Sequence, residues 1–130
     1  MSSPTDLRYT KDHEWARVES DGVVTIGITD HAQDALGDVV YVELPEQGDS
    51  FDAEEKFGVV ESVKTVSDLF APIAGDVVDV NGDLEDAPET VNSDPYGGGW
   101  MIRIKPADAS AIAGLLDAAA YDALVDAENA

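Results

Sequence analysis

Short valine-rich runs, each closed off by turn residues, constrain this chain more than any other feature. "GVVTIGI" (22–28), "DVVYVEL" (38–44), "EKFGVVESV" (55–63), "GDVVDV" (75–80) and "WMIRIK" (100–105) follow one another through the first 105 residues. Each reads as a short strand, because side chains alternate faces along a strand and β-branched residues suit that geometry. In "DVVYVEL", Val40, Val42 and Leu44 share one face, and in "WMIRIK" Trp100, Ile102 and Ile104 oppose Met101, Arg103 and Lys105. Such alternation belongs to half-buried antiparallel sheets. Asp21-Gly22, Glu46 to Gly48, Ala74-Gly75, Asn81-Gly82 and "DPYGGG" supply the turns. The expected fold class is mainly β with peripheral helices, a sandwich or barrel.

Two helical pieces interrupt the pattern. "TDHAQDALG" offers Thr29 as N-cap, Ala32, Ala35 and Leu36 on one face and Gly37 as the stop. After Pro106 the chain turns Ala-rich, with Ile112, Leu115 and Leu116 as one apolar set and Tyr121, Leu124 and Val125 as another. Asp117 between them is a plausible cap, so two short helices are expected over about 107–127. No linker or repeat splits the sequence, and residues 1–130 are expected to form one domain.

Composition removes several function classes. Twenty-eight acids stand against seven bases, a net charge of -21, and phosphate binding needs clustered cations, so nucleic acid is excluded as a partner. The acids are dispersed over the whole chain, which favours a solvated surface suited to high salt over a calcium-binding face or a docking face for basic proteins. Stability should then fall on desalting. No cysteine is present, so there are no disulfides or thiolate metal sites, and thiol chemistry would have to come from a cofactor. Without a membrane-length apolar run or a signal-peptide pattern at the N-terminus, a cytoplasmic location is expected, with no membrane partner.

The local motifs are weak. "HEWAR" begins like a zinc-protease helix, but Arg17 stands where the second histidine is required. The two histidines, His13 and His31, read as lone surface or capping residues, and no metal site is expected. "DVNGDLED" alternates oxygen ligands, yet Gly82 follows Asp79 too early for a calcium loop, and a hairpin with an Asn-Gly turn fits better. "YGGGW" lacks the strand-to-helix context of a phosphate loop and reads as a flexible bend beside a buried Trp100. No nucleophile, base and acid stand together, so the chain does not read as a catalyst on its own.

One residue remains. Lys64, in "VVESVKTVSD", falls at or near the tip of a hairpin formed by the runs on either side of it. Spacing alone leaves it an ordinary solvated lysine.

A resemblance changes its standing. "YTKDHEW" (9–15), "GITDHAQDALGDVVYVELPEQG" (27–48), "FGVVESVKTVSDLFAPIAGDVVDVN" (57–81), "VNSDPYGGGWMIRIKP" (91–106) and "LLDAAAYDALV" (115–125) resemble, in order, blocks of the glycine cleavage system H protein family. The hairpin lysine is shared by lipoyl domains generally; the "HEW", "GITDHAQ" and "DPYGGGW" blocks make the likeness specific. A biotin carrier would set methionines beside its lysine, where this chain has Val63 and Thr65.

The resemblance implies a hybrid barrel-sandwich of antiparallel sheets in which Lys64 carries lipoate in amide linkage. It implies a non-catalytic carrier that takes an aminomethyl group from the pyridoxal-phosphate glycine decarboxylase. The aminomethyltransferase passes that carbon to tetrahydrofolate, and dihydrolipoamide dehydrogenase reoxidises the carrier. A lipoate ligase or lipoyltransferase would load Lys64. Amide formation removes the lysine charge, whereas an amine cargo brings one back. Glu14 and Asp68, acids within the resembling blocks, are therefore expected to hold the loaded arm in a surface cleft. Three other readings compete: a related carrier that relays lipoyl groups in lipoate biosynthesis or salvage, a lipoyl domain of a 2-oxoacid dehydrogenase, and an unmodified acidic interaction protein.

Overall fold

The structure, a computed structural model, describes residues 4–129. Two antiparallel sheets form the body. The larger contains β1 (Arg8–Tyr9), β2 (Glu14–Val18), β3 (Val24–Ile28), β5 (Ser50–Phe51), β8 (Gly75–Val80) and β9 (Ile102–Pro106), in the order β1-β2-β3-β9-β8-β5. The smaller contains β4 (Val39–Glu43), β6 (Lys56–Ser62) and β7 (Val66–Phe70), in the order β4-β6-β7. Every pairing among the described strands is antiparallel. Two packed antiparallel sheets are what the alternating valines lead one to expect, and the barrel-sandwich is what the resemblance implies.

The main core lies between the sheets, where Ile26, Ile102, Ile104, Val60, Leu69 and Ile73 are buried. Removing such apolar surface from water stabilises the fold by roughly 25 cal/mol per Å². Alternation misleads at one strand. In β4 the register shifts between Val39 and Tyr41, so Val39 and Val42 are buried while Val40 is 53% exposed. A bulge puts an extra residue into one strand and reverses the faces on one side of it, which corrects the expected inward set of Val40, Val42 and Leu44. In β9, Ile102 and Ile104 point inward as expected. Met101 is also buried, because it precedes the strand and donates its N–H to Ile26.

A second, aromatic core closes one corner. Tyr9, Trp15, Tyr121 and Val125 are buried together, and the Tyr9 and Tyr121 rings stack 4.6 Å apart. Gly27, paired with Trp15 across the sheet, makes room for the indole: a Cβ there would lie 2.7 Å from the ring. The indole N–H donates to the Pro95 carbonyl at 2.9 Å.

The peripheral elements follow their caps. Helix α1 (Asp30–Leu36) starts at Thr29, whose hydroxyl accepts the Ala32 N–H, and stops at Gly37, with φ 80°. After Pro106 come a 3-10 helix (Ala109–Gly114) and the C-terminal helix α4 (Ala118–Asn129). Asp117 caps the latter by accepting the Ala120 N–H at 2.8 Å. Of the first apolar set, Ile112 and Leu115 pack on the main core, while Leu116 joins the aromatic corner with Tyr121 and Leu124. Leu116 exchanges two backbone hydrogen bonds with Tyr9, which pulls it away from its expected neighbours.

Two turns differ from expectation. Asn81-Gly82 does not make a hairpin; it opens into the one-turn helix α2 (Asp83–Asp86), with Asn81 buried and donating to the Gly98 and Trp100 carbonyls. "DPYGGG" follows α3 (Thr90–Ser93) and is a bonded loop, since the Asp94 carbonyl accepts the Gly97 and Gly99 N–H groups and its carboxylate accepts that of Gly98. Trp100 is half-buried, with the Arg103 guanidinium 4.2 Å from its ring centroid.

Candidate functional site

Strands β6 and β7 pair from Lys56↔Phe70 to Glu61↔Val66, which leaves Val63 and Lys64 as the tip of the hairpin. Ser62 fastens this turn. Its N–H donates to the Thr65 carbonyl at 2.8 Å, and its hydroxyl accepts the Thr65 N–H at 3.2 Å. Among described non-glycine residues only His13 and Glu54 have positive φ, so the tip needs no left-handed backbone. The turn is tied by the serine side chain and contains no residue in the left-handed conformation that glycine supplies in tighter hairpin turns.

The tip is also held from the side. Val63 N–H donates to the Asp38 carbonyl at 3.0 Å. The segment carrying Asp38 is pinned by Asn92 of α3, which accepts the Val39 N–H at 2.8 Å and donates to the Gly37 carbonyl at 2.8 Å. Sequence reasoning missed Asn92, because its partners lie more than fifty residues away along the chain.

Lys64 itself is exposed, and no described carboxylate lies within ion-pair distance of it. Its stem runs past Gly37, where an added Cβ would lie 3.4 Å from Lys64 Cε. Gly37 thus ends a helix and clears a path for the lysine. Around the tip Val40, Tyr41, Val63 and Val66 are exposed, an apolar surround on a highly acidic protein.

Beside the hairpin lies a cleft of about 310 Å³ between β7, α1 and the start of β2, lined by Leu36, Val60, Thr65, Leu69, Glu14 and Asp68. Both acids named from the sequence are therefore in its wall, in different states. Asp68 is half exposed and pairs with Lys56 at 3.3 Å. Glu14 is only 2% exposed. Thr10 donates to its Oε1 at 2.6 Å and the Phe70 N–H to its Oε2 at 3.3 Å. Burial pushes its pKa up to about 7, against those two hydrogen bonds, which favour the charged form. Glu14 also borders a second cavity of about 240 Å³, lined by Tyr9, Phe70 and Leu115, and so forms a wall between two spaces.

The histidines are not lone. His13 and His31 lie with ring centroids 4.7 Å apart, and Glu128 of α4 reaches both. Hairpin register explains the meeting: β2 pairs with β3 from Val18↔Val24 to Glu14↔Ile28, which sets His13 across from Thr29, whose N–H it accepts. The turn at Asp21-Gly22 was the signal that could have revealed it.

A two-sheet body with one lysine at the tip of a well-tied hairpin defines a class: the fold is the hybrid barrel-sandwich of lipoyl-carrier proteins. Comparison with known proteins narrows the class. The family model for the glycine cleavage H-protein matches residues 7–128. Glycine cleavage system H proteins of Chromohalobacter salexigens and Halorhodospira halophila are each 62% identical over 126 residues, covering 97% of this chain and 96% and 97% of theirs. The crystal structure of a glycine cleavage system H protein from Mycobacterium marinum superposes with a TM-score of 0.87 at 44% identity, covering 95% of this chain and 98% of that one. The chain belongs to the glycine cleavage H-protein family. As such it is a component of the glycine cleavage system and works with the other components of that system. No helix among the described residues is long and apolar enough to cross a membrane.

Proposed function

We propose that Lys64 is the lipoyl attachment site and that the chain acts as one carrier domain with no catalysis of its own. The observation that carries this reading is the mounting of Lys64: an exposed amine at a hairpin tip whose backbone is fixed by Ser62 and Asp38. A modifying enzyme, a lipoate ligase or lipoyltransferase, gains access without having to order a loop, which lowers the entropic cost of recognition. The residues fit the group: Gly37 leaves the lysine stem unobstructed, and the neighbouring cleft has an apolar floor at Leu36, Val60 and Leu69. Lipoate held on Lys64 would supply the sulfur chemistry, a dithiol–disulfide pair able to carry the aminomethyl group of glycine. The chain contributes no thiol to compete with it.

In this reading the protein serves the pyridoxal-phosphate glycine decarboxylase, the tetrahydrofolate-dependent aminomethyltransferase and dihydrolipoamide dehydrogenase in turn. Lys64 tethers, the cleft shelters, and Glu14 offers a buried carboxylate to a cationic amine within it. A cation at contact range favours the ionised form, so an incoming amine would draw Glu14 toward the charged state that pairs with it. Asp68 sits at the rim, where its pair with Lys56 already occupies one carboxylate oxygen. Its share in holding the arm is the smaller one, since a half-exposed charge is screened by solvent.

Intact mass spectrometry after incubation with lipoate ligase, lipoate and ATP tests the attachment. One lipoyl group should be added to the wild type and none to Lys64→Arg. Addition to Lys64→Arg at the same rate would place the tether elsewhere.

A further inference from the structure

We propose that His13, His31 and Glu128 form a binding site for one divalent transition-metal ion of the zinc class. Both histidines of the chain, His13 in the turn before β2 and His31 in α1, meet here with a glutamate from the C-terminal helix. One ligand atom from each lies within 4.8 Å of the others, with His13 Nε2 3.0 Å and His31 Nε2 4.0 Å from Glu128 Oε2. Ligand atoms about 2.0 to 2.2 Å from a tetrahedral zinc ion lie roughly 3.3 to 3.6 Å apart. Small side-chain rotations therefore close the set, and Glu128, exposed near the end of α4, is free to make them.

The surroundings of His13 are those a metal-bound histidine uses. Its Nδ1 lies 2.8 Å from the Tyr121 hydroxyl, which lies 2.7 Å from Thr29 Oγ1. Without metal, a neutral His13 that donates from Nε2 to Glu128 leaves Nδ1 as the acceptor of the Tyr121 hydroxyl. With metal, the imidazole proton sits on Nδ1 and is donated to Tyr121, whose hydroxyl turns to Thr29, and the Nε2 lone pair is released to the ion. The exchange is a change of tautomer, so no proton is lost from a neutral imidazole. An outer partner of this kind fixes ring orientation and raises ligand basicity.

The backbone at His13 is held in a turn closed by its N–H bond to the Thr10 carbonyl. Its φ of 67° is a left-handed conformation that a non-glycine residue adopts at a cost, and its ring lies 4.7 Å from that of His31, centroid to centroid. Two imidazoles and one carboxylate suit zinc, copper or nickel better than magnesium or calcium, which prefer all-oxygen sites. Three protein ligands leave a fourth position for water.

The test uses untagged full-length protein stripped with a chelator and titrated with Zn²⁺ by calorimetry. A large excess of Mg²⁺ is kept present to occupy the diffuse binding expected of so acidic a surface. One Zn²⁺ per chain should bind, His31→Ala should weaken it at least tenfold, and Tyr121→Phe about tenfold through loss of the outer partner. Glu128→Gln, an exposed change that leaves the fold intact, guards against variants that fail for want of folding, and it should also lose tenfold or more. Co²⁺ in place of Zn²⁺ should show visible absorption bands of a tetrahedral nitrogen and oxygen site, absent in His31→Ala. Absence of binding to the wild type under Mg²⁺, or equal affinity and stoichiometry in His31→Ala and Glu128→Gln, would overturn the proposal.

Discussion

The lysine tip and the aromatic corner solve opposite problems. At the corner, Tyr9, Trp15 and Tyr121 are fully buried, and stacking and burial hold the N-terminal strands against α4. At the tip, Val63 and Val66 are 69% and 60% exposed, and position is held by hydrogen bonds from Ser62, Asp38 and Asn92 instead. An exposed tip cannot be fixed by burial, so its rigidity comes from directional bonds between backbone and short polar side chains, as the tethering role proposed for Lys64 would require.

Mutations should separate the two. Trp15→Ala removes the largest fully buried side chain of the corner and should cost about 3 to 5 kcal/mol in urea unfolding. Lys64→Arg should leave the unfolding midpoint unchanged. A loss below about 1 kcal/mol for Trp15→Ala would mean that the corner is not what holds the chain together.

Glu14 comes next, and its effect depends on pH. Its pKa is raised from 4.5 to about 7 in the folded state, so its contribution to stability is fully present below about 4.5 and is lost as pH rises through about 7. The change amounts to at most about 3 kcal/mol. Glu14→Gln, which cannot ionise, should be less stable than wild type at pH 4.5, and the gap should narrow by up to that amount by pH 8. Parallel pH profiles for the two proteins, measured with chelator present, would show that burial leaves Glu14 unperturbed.

Gly37→Ala should cost about 1 to 3 kcal/mol, because φ 80° and ψ -159° is a region almost confined to glycine. It should also slow lipoylation of Lys64, whose stem passes the new methyl group. Gly37→Ala with normal loading kinetics would mean that the stem does not need that path. Least of all, Val63→Ser and Val66→Ser should each move stability by no more than about 0.5 kcal/mol, read from the same urea curves.

Local rules made most of the fold legible. Thr29, Gly37 and Asp117 cap the helices as their side chains dictate, and the valine runs become strands. Failures fall where long-range contacts overrule alternation. The bulge at Val40 is set by pairing with β6, and Asn81-Gly82 becomes helical because Asn81 is drawn inward to the Gly98 and Trp100 carbonyls. Of the site, Lys64 could be placed at a hairpin tip from pattern alone. The burial of Glu14 could not, since it depends on Phe70 and Thr10 closing over the carboxylate. The histidine pair needed the β2–β3 register and a helix from the far end of the chain.

The bond from Val63 to Asp38 has a mechanical meaning. It makes the α-carbon of Lys64 a fixed pivot, so that whatever the side chain bears explores only the sphere its own rotatable bonds allow. On the proposed reading of Lys64 as a tether, the local concentration at the cleft and at a docked enzyme would be set by tether length and not by loop motion, with the same radius offered to every partner.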